Sequence, residues 1–444
     1  MICLVQPIRL ISIVLFFSSV NVSASMSSKK AAIGFIFITL LIDVIGLGLI
    51  IPVFPELIKE LIHGDNSDAS RWSGWLLAAY AIMQFVCAPI LGNLSDKYGR
   101  RPILLLSLLG FGADYLFLAF APTIAWLFVG RIIAGLFGAS FTTASAYIAD
   151  ISTDKDRTQN FGMIGAAFGL GFIIGPVIGG LLGGFGSRVP FMVAAGLSLL
   201  NALYGYFVLP ESLPKEKRRA FDWSRANPVG SLLHLKKYPA IIGLMFSLFL
   251  LYIAAHAVQS NWGFYGIEKF GWTETMIGIS LGVVGFMVAV VQAGLTRIVI
   301  PKMGNEKSIY IGLLLYTIGM FLFGIATSTA WMFAFIVPYC LGGIAGPALQ
   351  AVIAAHVPSN EQGELQGAIT SMISVTSIIG PLVMANLFSH FAQKDAAVYF
   401  PGAPFMLGAV LMLLSTIVAY YALRNEKHRP KDIEKELVLE EIEK

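Results

Sequence analysis

The chain has 444 residues, of which 57% are hydrophobic and only 13% are charged, with a net charge of +4. Soluble domains carry charge on roughly a quarter of their residues, so a soluble protein of two or three domains is excluded. The excess of lysine and arginine falls in loops and not on one face, which argues against nucleic acid as a partner.

Residues 1–30 form an N-terminal extension. An apolar run over 8–20 follows Arg9, and Val22-Ser23-Ala24 looks like a signal-peptidase site. A cleaved signal would force every later loop to the wrong side, so an over-extended start or an uncleaved extension is the reading taken, with Met26 the more natural start. Twelve apolar stretches of bilayer length follow: 31–55, 72–94, 102–120, 124–148, 159–184, 190–209, 239–262, 274–296, 308–326, 331–354, 365–391 and 401–423. The expected fold is an all-α integral membrane protein. Its two six-helix halves are 31–209 and 239–423, joined by a polar linker over 210–238 and followed by a charged tail over 424–444. If the first span starts inside, 23 of the 30 lysines and arginines lie on the cytoplasmic side. That asymmetry places both termini in the cytoplasm. Cys3, Cys87 and Cys340 are far apart and offer neither a disulfide framework nor metal spacing.

The halves are related. Ile173-Ile174-Gly175-Pro176 recurs 205 residues later as Ile378-Ile379-Gly380-Pro381, and the same offset aligns Ala146-Tyr147-Ile148-Ala149 with Ala351-Val352-Ile353-Ala354. Such self-similarity is what two repeats packed around a central cavity leave behind. Between the second and third spans lies Gly92-Asn93-Leu94-Ser95-Asp96-Lys97-Tyr98-Gly99-Arg100-Arg101, read as a short basic turn. Its second-half copy, 297–307, keeps the basic residues without the aspartate. Asp96 is expected to oppose the positive N-terminal end of a second-half helix. Arg100 or Arg101 is expected to pair with Asp150, the whole acting as a cytoplasmic latch.

Charges inside spans are costly and therefore informative. Asp43 stands about 18 Å into the first span, where a carboxylate can bind and release a proton. Asp114 and Arg131 both lie about 10 Å from the outer surface on consecutive helices, and an ion pair is expected. The three leave a formal charge of −1, which favours cationic or metal-chelated substrates. The second half offers His256, Gln259 and Asn261 in its first span, then Gln292, Tyr316, Gln350 and Asn386, as polar residues for the cavity. His256 and Gln259, three residues apart, are expected to face one way. Phe264, Tyr265, Phe270 and Trp272 read as an interfacial aromatic belt. In the fifth span Gly171, Gly175 and Gly179 share one helix face, with Pro176 and Gly180 completing G-x-x-x-G-P-x-x-G-G.

The 92–101 segment resembles the loop 2–3 signature of the major facilitator superfamily, and the fifth-span pattern resembles the antiporter motif of its exporting members. With Asp43 through Pro55, Ala78-Ala79-Tyr80-Ala81-Ile82-Met83-Gln84, Asp114-Tyr115-Leu116 and Gly130-Arg131, the chain is similar to the tetracycline-resistance branch of drug:proton antiporters. The likeness runs from about Met26 to residue 420. In that family the positions of Asp43, Asp96, Arg100, Asp114 and Arg131 are functionally important. Its second-half histidine and aspartate fall on Val288 and Tyr316 here, so carrier architecture and proton coupling carry over while tetracycline as substrate does not follow. The resemblance implies a multi-pass cell-membrane exporter of a small amphiphilic or drug-like compound, monomeric, not an enzyme. It needs no cofactor or metal, and the proton is the coupling ion. An exporter of an endogenous metabolite or siderophore is the alternative, and a non-transporting receptor or scaffold the remote one.

Overall fold

The computed structural model describes residues 33–138, 140–153, 156–222, 239–358 and 361–427. The N-terminal extension, most of the linker and most of the tail lie outside them. Among the described residues, twelve helices are long and apolar enough to cross a membrane: Ile33–Ile50, Asn66–Tyr98, Arg100–Ala119, Ile124–Ile151, Gln159–Gly183, Val189–Val208, Ile241–Phe270, Glu274–Met303, Asn305–Ile325, Thr329–Ala355, Glu364–Ala392 and Ala403–Arg424. They are called spans one to twelve below.

Several boundaries differ from expectation, spans two, seven and eight being longer than their apolar runs, and two of the differences have local reasons. Span one stops at Ile50 rather than 55 because Pro52 and Pro55 cannot continue it. A turn intervenes, and Phe54–Ile62 forms a separate short helix with proline in its first turn. The 92–101 segment is also not a loop. Span two stays helical through Tyr98 and span three starts at Arg100, so Gly99 alone makes the reversal, at φ 107° and ψ 160°. Gly304, 205 residues further on, makes the matching reversal between spans eight and nine at φ 80° and ψ 161°. The repeat thus persists in backbone geometry where the sequence copy has decayed.

Gly99 is fixed twice over. Its φ and ψ fall in a region that is essentially glycine-only, at a cost of about 1–3 kcal/mol for other residues. A Cβ there would also run into the Glu211 carboxylate, with the Arg218 guanidinium 2.9 Å away. Gly99→Ala is therefore expected to lower the melting temperature of the solubilised protein and to reduce transport sharply. Gly92→Ala, whose Cβ would meet nothing within 4 Å, should do neither. Equal effects from the two changes would refute this account.

The two halves meet closely at the end of the bundle opposite Gly99. Ser67 donates to the Ser389 carbonyl at 2.8 Å, Ser70 to Asn261 Oδ1 at 3.2 Å, and Asn66 Nδ2 to the Phe264 carbonyl at 2.9 Å. Thr275 donates to the Gly180 carbonyl at 3.1 Å. Small residues allow this approach: a Cβ on Gly74 would lie 2.8 Å from the Ala385 Cβ. Nearby, Arg188 donates to the Ala119 and Ala121 carbonyls and pairs with Glu60 at 3.0 Å. Burial works to raise the Glu60 pKa, but hydrogen bonds from Ser187 and Arg188 outweigh it and hold the carboxyl below its ordinary value.

The aromatic belt expected at the end of span seven is instead an internal cluster. Phe264, Tyr265 and Trp272 are buried, and Phe270 is partly so. Tyr265 stacks edge-on against Phe405 at 4.8 Å and donates to the Phe323 carbonyl at 2.6 Å, while Trp272 Nε1 donates to Thr329 at 2.9 Å. Because span seven runs on to Phe270, its polar aromatic tips find partners inside the bundle, not at the membrane surface.

Candidate functional site

The site is built on the first half. Asp43 is 9% exposed, and Ser140 donates to its Oδ2 at 2.6 Å. Ser140 lies just beyond an interruption in span four, whose first helix ends at Phe137 with Gly138 as its C-cap. Gln84 of span two stabilises that interruption by donating to the Gly138 carbonyl at 3.1 Å and to Tyr80 Oη at 3.0 Å. A freed backbone carbonyl inside a bundle needs such a donor.

Asp114 of span three and Arg131 of span four form an ion pair through Oδ2 and Nη2. Asp114 is fully buried and Arg131 5% exposed. The guanidinium carbon lies 5.9 Å from the Tyr80 ring centroid, a cation–π arrangement. Gly130 leaves room for the carboxylate, since a Cβ there would lie 2.8 Å from Asp114 Oδ1. Asp114 Oδ1, Arg131 Nε and Tyr115 Oη have no hydrogen-bond partner among the described residues. Tyr115 points toward span one, where a Cβ on Gly46 would lie 3.1 Å from its hydroxyl. Asp43 and the Asp114–Arg131 pair are thus neighbouring stations of one buried polar column. The sequence does not mark Ser140, and it shows Tyr80 and Tyr115 only within family-like stretches, with no sign of what they touch. All are ordinary residues in a sequence of this composition, and only the fold brings them to the carboxylates.

The second half lacks this column. The residues 205 positions after Asp43, Asp114 and Arg131 are Leu248, Gly319 and Ile336, all buried. Its polar residues are spread over several helices, and only Gln350 and Tyr316 come near one another, on either side of Tyr252. His256 is buried against Gly380 of span eleven, where a Cβ would lie 2.8 Å from the histidine Cβ, whereas Gln259 is exposed. By their spacing the two remain on one side of the helix, but only His256 is buried. Asn261 belongs to the seam with Ser70 and not to a cavity. Gln350 donates to Tyr252 Oη at 3.2 Å, and Tyr316 packs edge-on to Tyr339 at 5.2 Å. Asn386 bonds its own helix at the Leu382 carbonyl, and Gln292 is exposed within a π-helical turn, Val290–Leu295.

At the Gly99 end, Arg100 pairs with Asp96 and with Asp150, the latter at 3.0 Å. Arg101 instead donates to the Tyr206 carbonyl. Asp96 is paired with the arginine one turn ahead, and among the described residues it does not make the contact with a second-half helix that is expected of it when the latch closes and the carrier faces outward. The linker contributes a residue the sequence had not marked: Glu211 accepts from the Arg100 backbone N–H at 2.8 Å, capping span three, and lies 3.8 Å from Arg218.

The fifth-span glycines divide between two neighbours. Gly171, Gly175 and Gly179 pack on span one at Val44, Ile45 to Gly48 and Leu49, while Gly180 packs on Gly278 and Glu274 of span eight. Pro176 bridges both, touching Gly48 by its ring and Gly278 by its carbonyl.

Twelve spans in two related halves, with the buried charge of the described residues confined to one of them, make the architecture of a membrane carrier. A family model for the major facilitator superfamily matches residues 36–346 and 302–441. Tetracycline resistance protein class C from Escherichia coli is 40% identical over 88% of this chain and 96% of its own length. The class B protein, also from Escherichia coli, is 37% identical over 82% and 89%. Multidrug resistance protein 2 of Bacillus subtilis is 28% identical over 88% of the chain and 94% of its own length. Among solved structures, the human organic anion transporter MFSD10 superimposes with a TM-score of 0.65 at 23% identity, covering 88% of this chain and 99% of that one. The chain belongs to the major facilitator superfamily and, within it, to the tetracycline-resistance type of drug transporter. It is a multi-pass membrane transporter of a small molecule and not an enzyme.

Proposed function

We propose that the chain exports an amphiphilic, drug-like compound of the tetracycline kind in exchange for inward-moving protons, acting as a monomer without cofactor or metal. The observation that carries this reading is Asp43, a carboxylate deep in a membrane helix, held by a single serine hydroxyl beside a buried ion pair. Such a group is costly in a membrane and is retained where ions or protons move. The basic end, with Gly99 and Gly304, faces the cytoplasm, as the distribution of 23 of 30 basic residues supports. The hydrogen-bonded seam then lies outside and the conformation is inward-facing. Gly162, Gly165 and Gly169 of span five, toward the cytoplasmic end, meet nothing within 4 Å, in keeping with a cavity open to that side.

Asp96, Arg100, Asp150 and Glu211 act as the cytoplasmic gate. When the carrier turns outward, Asp96 exchanges its pairing with Arg100 for the N-terminal end of a second-half helix. Asp96→Asn should therefore shift the population toward the inward-facing form. Higher reactivity of a cysteine placed in the cavity toward a cytoplasmic thiol reagent would register it. Unchanged reactivity together with normal transport rules the gate out.

Val288 and Tyr316, where the family's histidine and aspartate fall, favour one second reading: export of an endogenous metabolite or siderophore. A drug-sensitive host expressing the chain, challenged with tetracyclines and other amphiphiles, separates the two. Resistance to any of them supports the drug exporter. Uniform sensitivity, with a native metabolite accumulating in a deletion strain, supports the alternative.

A further inference from the structure

Span five presents four faces of different chemistry. One, formed by Gly171, Gly175 and Gly179, packs on span one. Another, formed by Pro176 and Gly180, packs on span eight in the other half. Between these lie two free arcs. One carries Leu170, Ile174 and Leu181, aliphatic and suited to lipid. The other carries Phe168 and Phe172, four residues apart and so on one face.

This second arc is not an isolated pair of rings. Phe168 stacks on Phe172 at 4.9 Å between centroids and meets Phe141 of span four edge-on at 6.1 Å. Phe141 directly follows Ser140, the residue that holds Asp43. An arc flanked by span one of the first half and span eight of the second, and facing span four, opens onto the space between the halves. Phe141 and Phe168 are nevertheless 44% and 43% exposed. Three aromatic rings thus gather where spans four and five meet, next in sequence to the serine that holds the buried carboxylate.

We propose that Phe141, Phe168 and Phe172 form the ring-binding face of the substrate site and accept a flat aromatic molecule that carries its positive charge toward Asp43. This deepens the exporter reading and rests on it. Aromatic faces carry negative quadrupole density, so they favour offset stacking with a flat ring and attract a cation. Asp43 supplies the opposite charge only when ionised. A cation arriving from the cytoplasm therefore competes with the proton for one carboxylate, and the shelf selects which cations are flat enough to do so.

The test uses the full chain purified in lipid nanodiscs and two monocations: ethidium, which is flat and aromatic, and tetrabutylammonium, which is neither. Phe168→Leu keeps an apolar side chain and removes the ring. It is expected to weaken ethidium binding about fivefold to tenfold and to leave tetrabutylammonium within about twofold. Phe141→Leu, on a different span, should act the same way, so a folding defect in one variant does not decide the matter. Asp43→Asn should weaken both probes. Wild-type protein that binds no ethidium, or phenylalanine variants that lose both probes equally or neither, overturns the shelf. Ethidium binding that depends on the phenylalanines, without export under a pH gradient, keeps the shelf and sinks the exporter reading. Export of ethidium that is indifferent to the phenylalanines does the reverse.

Discussion

Asp43→Asn is expected to yield a folded, inserted carrier that no longer exports against a gradient. Asparagine keeps the volume of the side chain, and its carbonyl oxygen can still accept the Ser140 hydroxyl that now bonds Oδ2 at 2.6 Å. What disappears is the carboxylate that the proposed exchange uses for proton and substrate cation in turn. At one proton per monovalent cation the exchange is electroneutral, and a pH gradient of one unit supports about a tenfold concentration ratio. In reconstituted vesicles the variant should bring that ratio to unity, while exchange of labelled for unlabelled substrate across equal pH persists. Undiminished accumulation would exclude Asp43 as the coupling site and move attention to Asp114 or His256. With the pH gradient clamped, export of a monocation by the wild type should respond little to membrane potential. A strong response would require a second proton site.

The second large effect concerns the Asp114–Arg131 pair. Both groups are buried and each is the other's principal partner, so removing one leaves an uncompensated charge. Arg131→Leu should cost about 3–5 kcal/mol of stability, read as an early thermal transition or as low membrane yield. Replacing both, Asp114→Leu with Arg131→Leu, should recover most of that loss, because an apolar pair of similar size needs no compensation. The second half supplies the precedent in the same chain: Gly319 packs directly on Tyr339 at the place of Asp114, and buried Ile336 stands at the place of Arg131. Transport should not recover with stability. Asp114 Oδ1, Arg131 Nε and the neighbouring Tyr115 hydroxyl are all without hydrogen-bond partners among the described residues, and leaving buried polar groups so is expensive for a tie that is only structural. A stable double variant that exports at the wild-type rate would reduce the pair to a fixed bridge.

The division of labour between the halves follows from the same comparison. Backbone features recur at an offset of 205 residues: the reversal at Gly99 and Gly304, and the interruption of span four near Gly138 and of span ten at Gly342–Ile344. The chemistry does not recur, since Leu248, Gly319 and Ile336 replace the three charges. One half carries the buried charges of the described residues, and the other presents apolar residues at the corresponding places.

The number of spans, the two-half repeat and the three buried charges were all legible in the amino-acid order. Each is a local property: an apolar run has bilayer length or it does not, and a charge inside one stands out without knowledge of its neighbours. Span ends were legible only in part, because Pro52 and Pro55 act through the backbone and the helical path of 92–98 is set by Gly99. Only the tertiary structure decided what the charges touch. Ser140 reaches Asp43 across 97 residues of chain, and Glu211 reaches the start of span three from the linker. Rings at the end of span seven, which suit an interfacial belt by composition, are drawn inside by Phe323, Phe405 and Thr329. Hydropathy reports how apolar a side chain is, whereas these contacts depend on direction, and direction is fixed only when the helices pack.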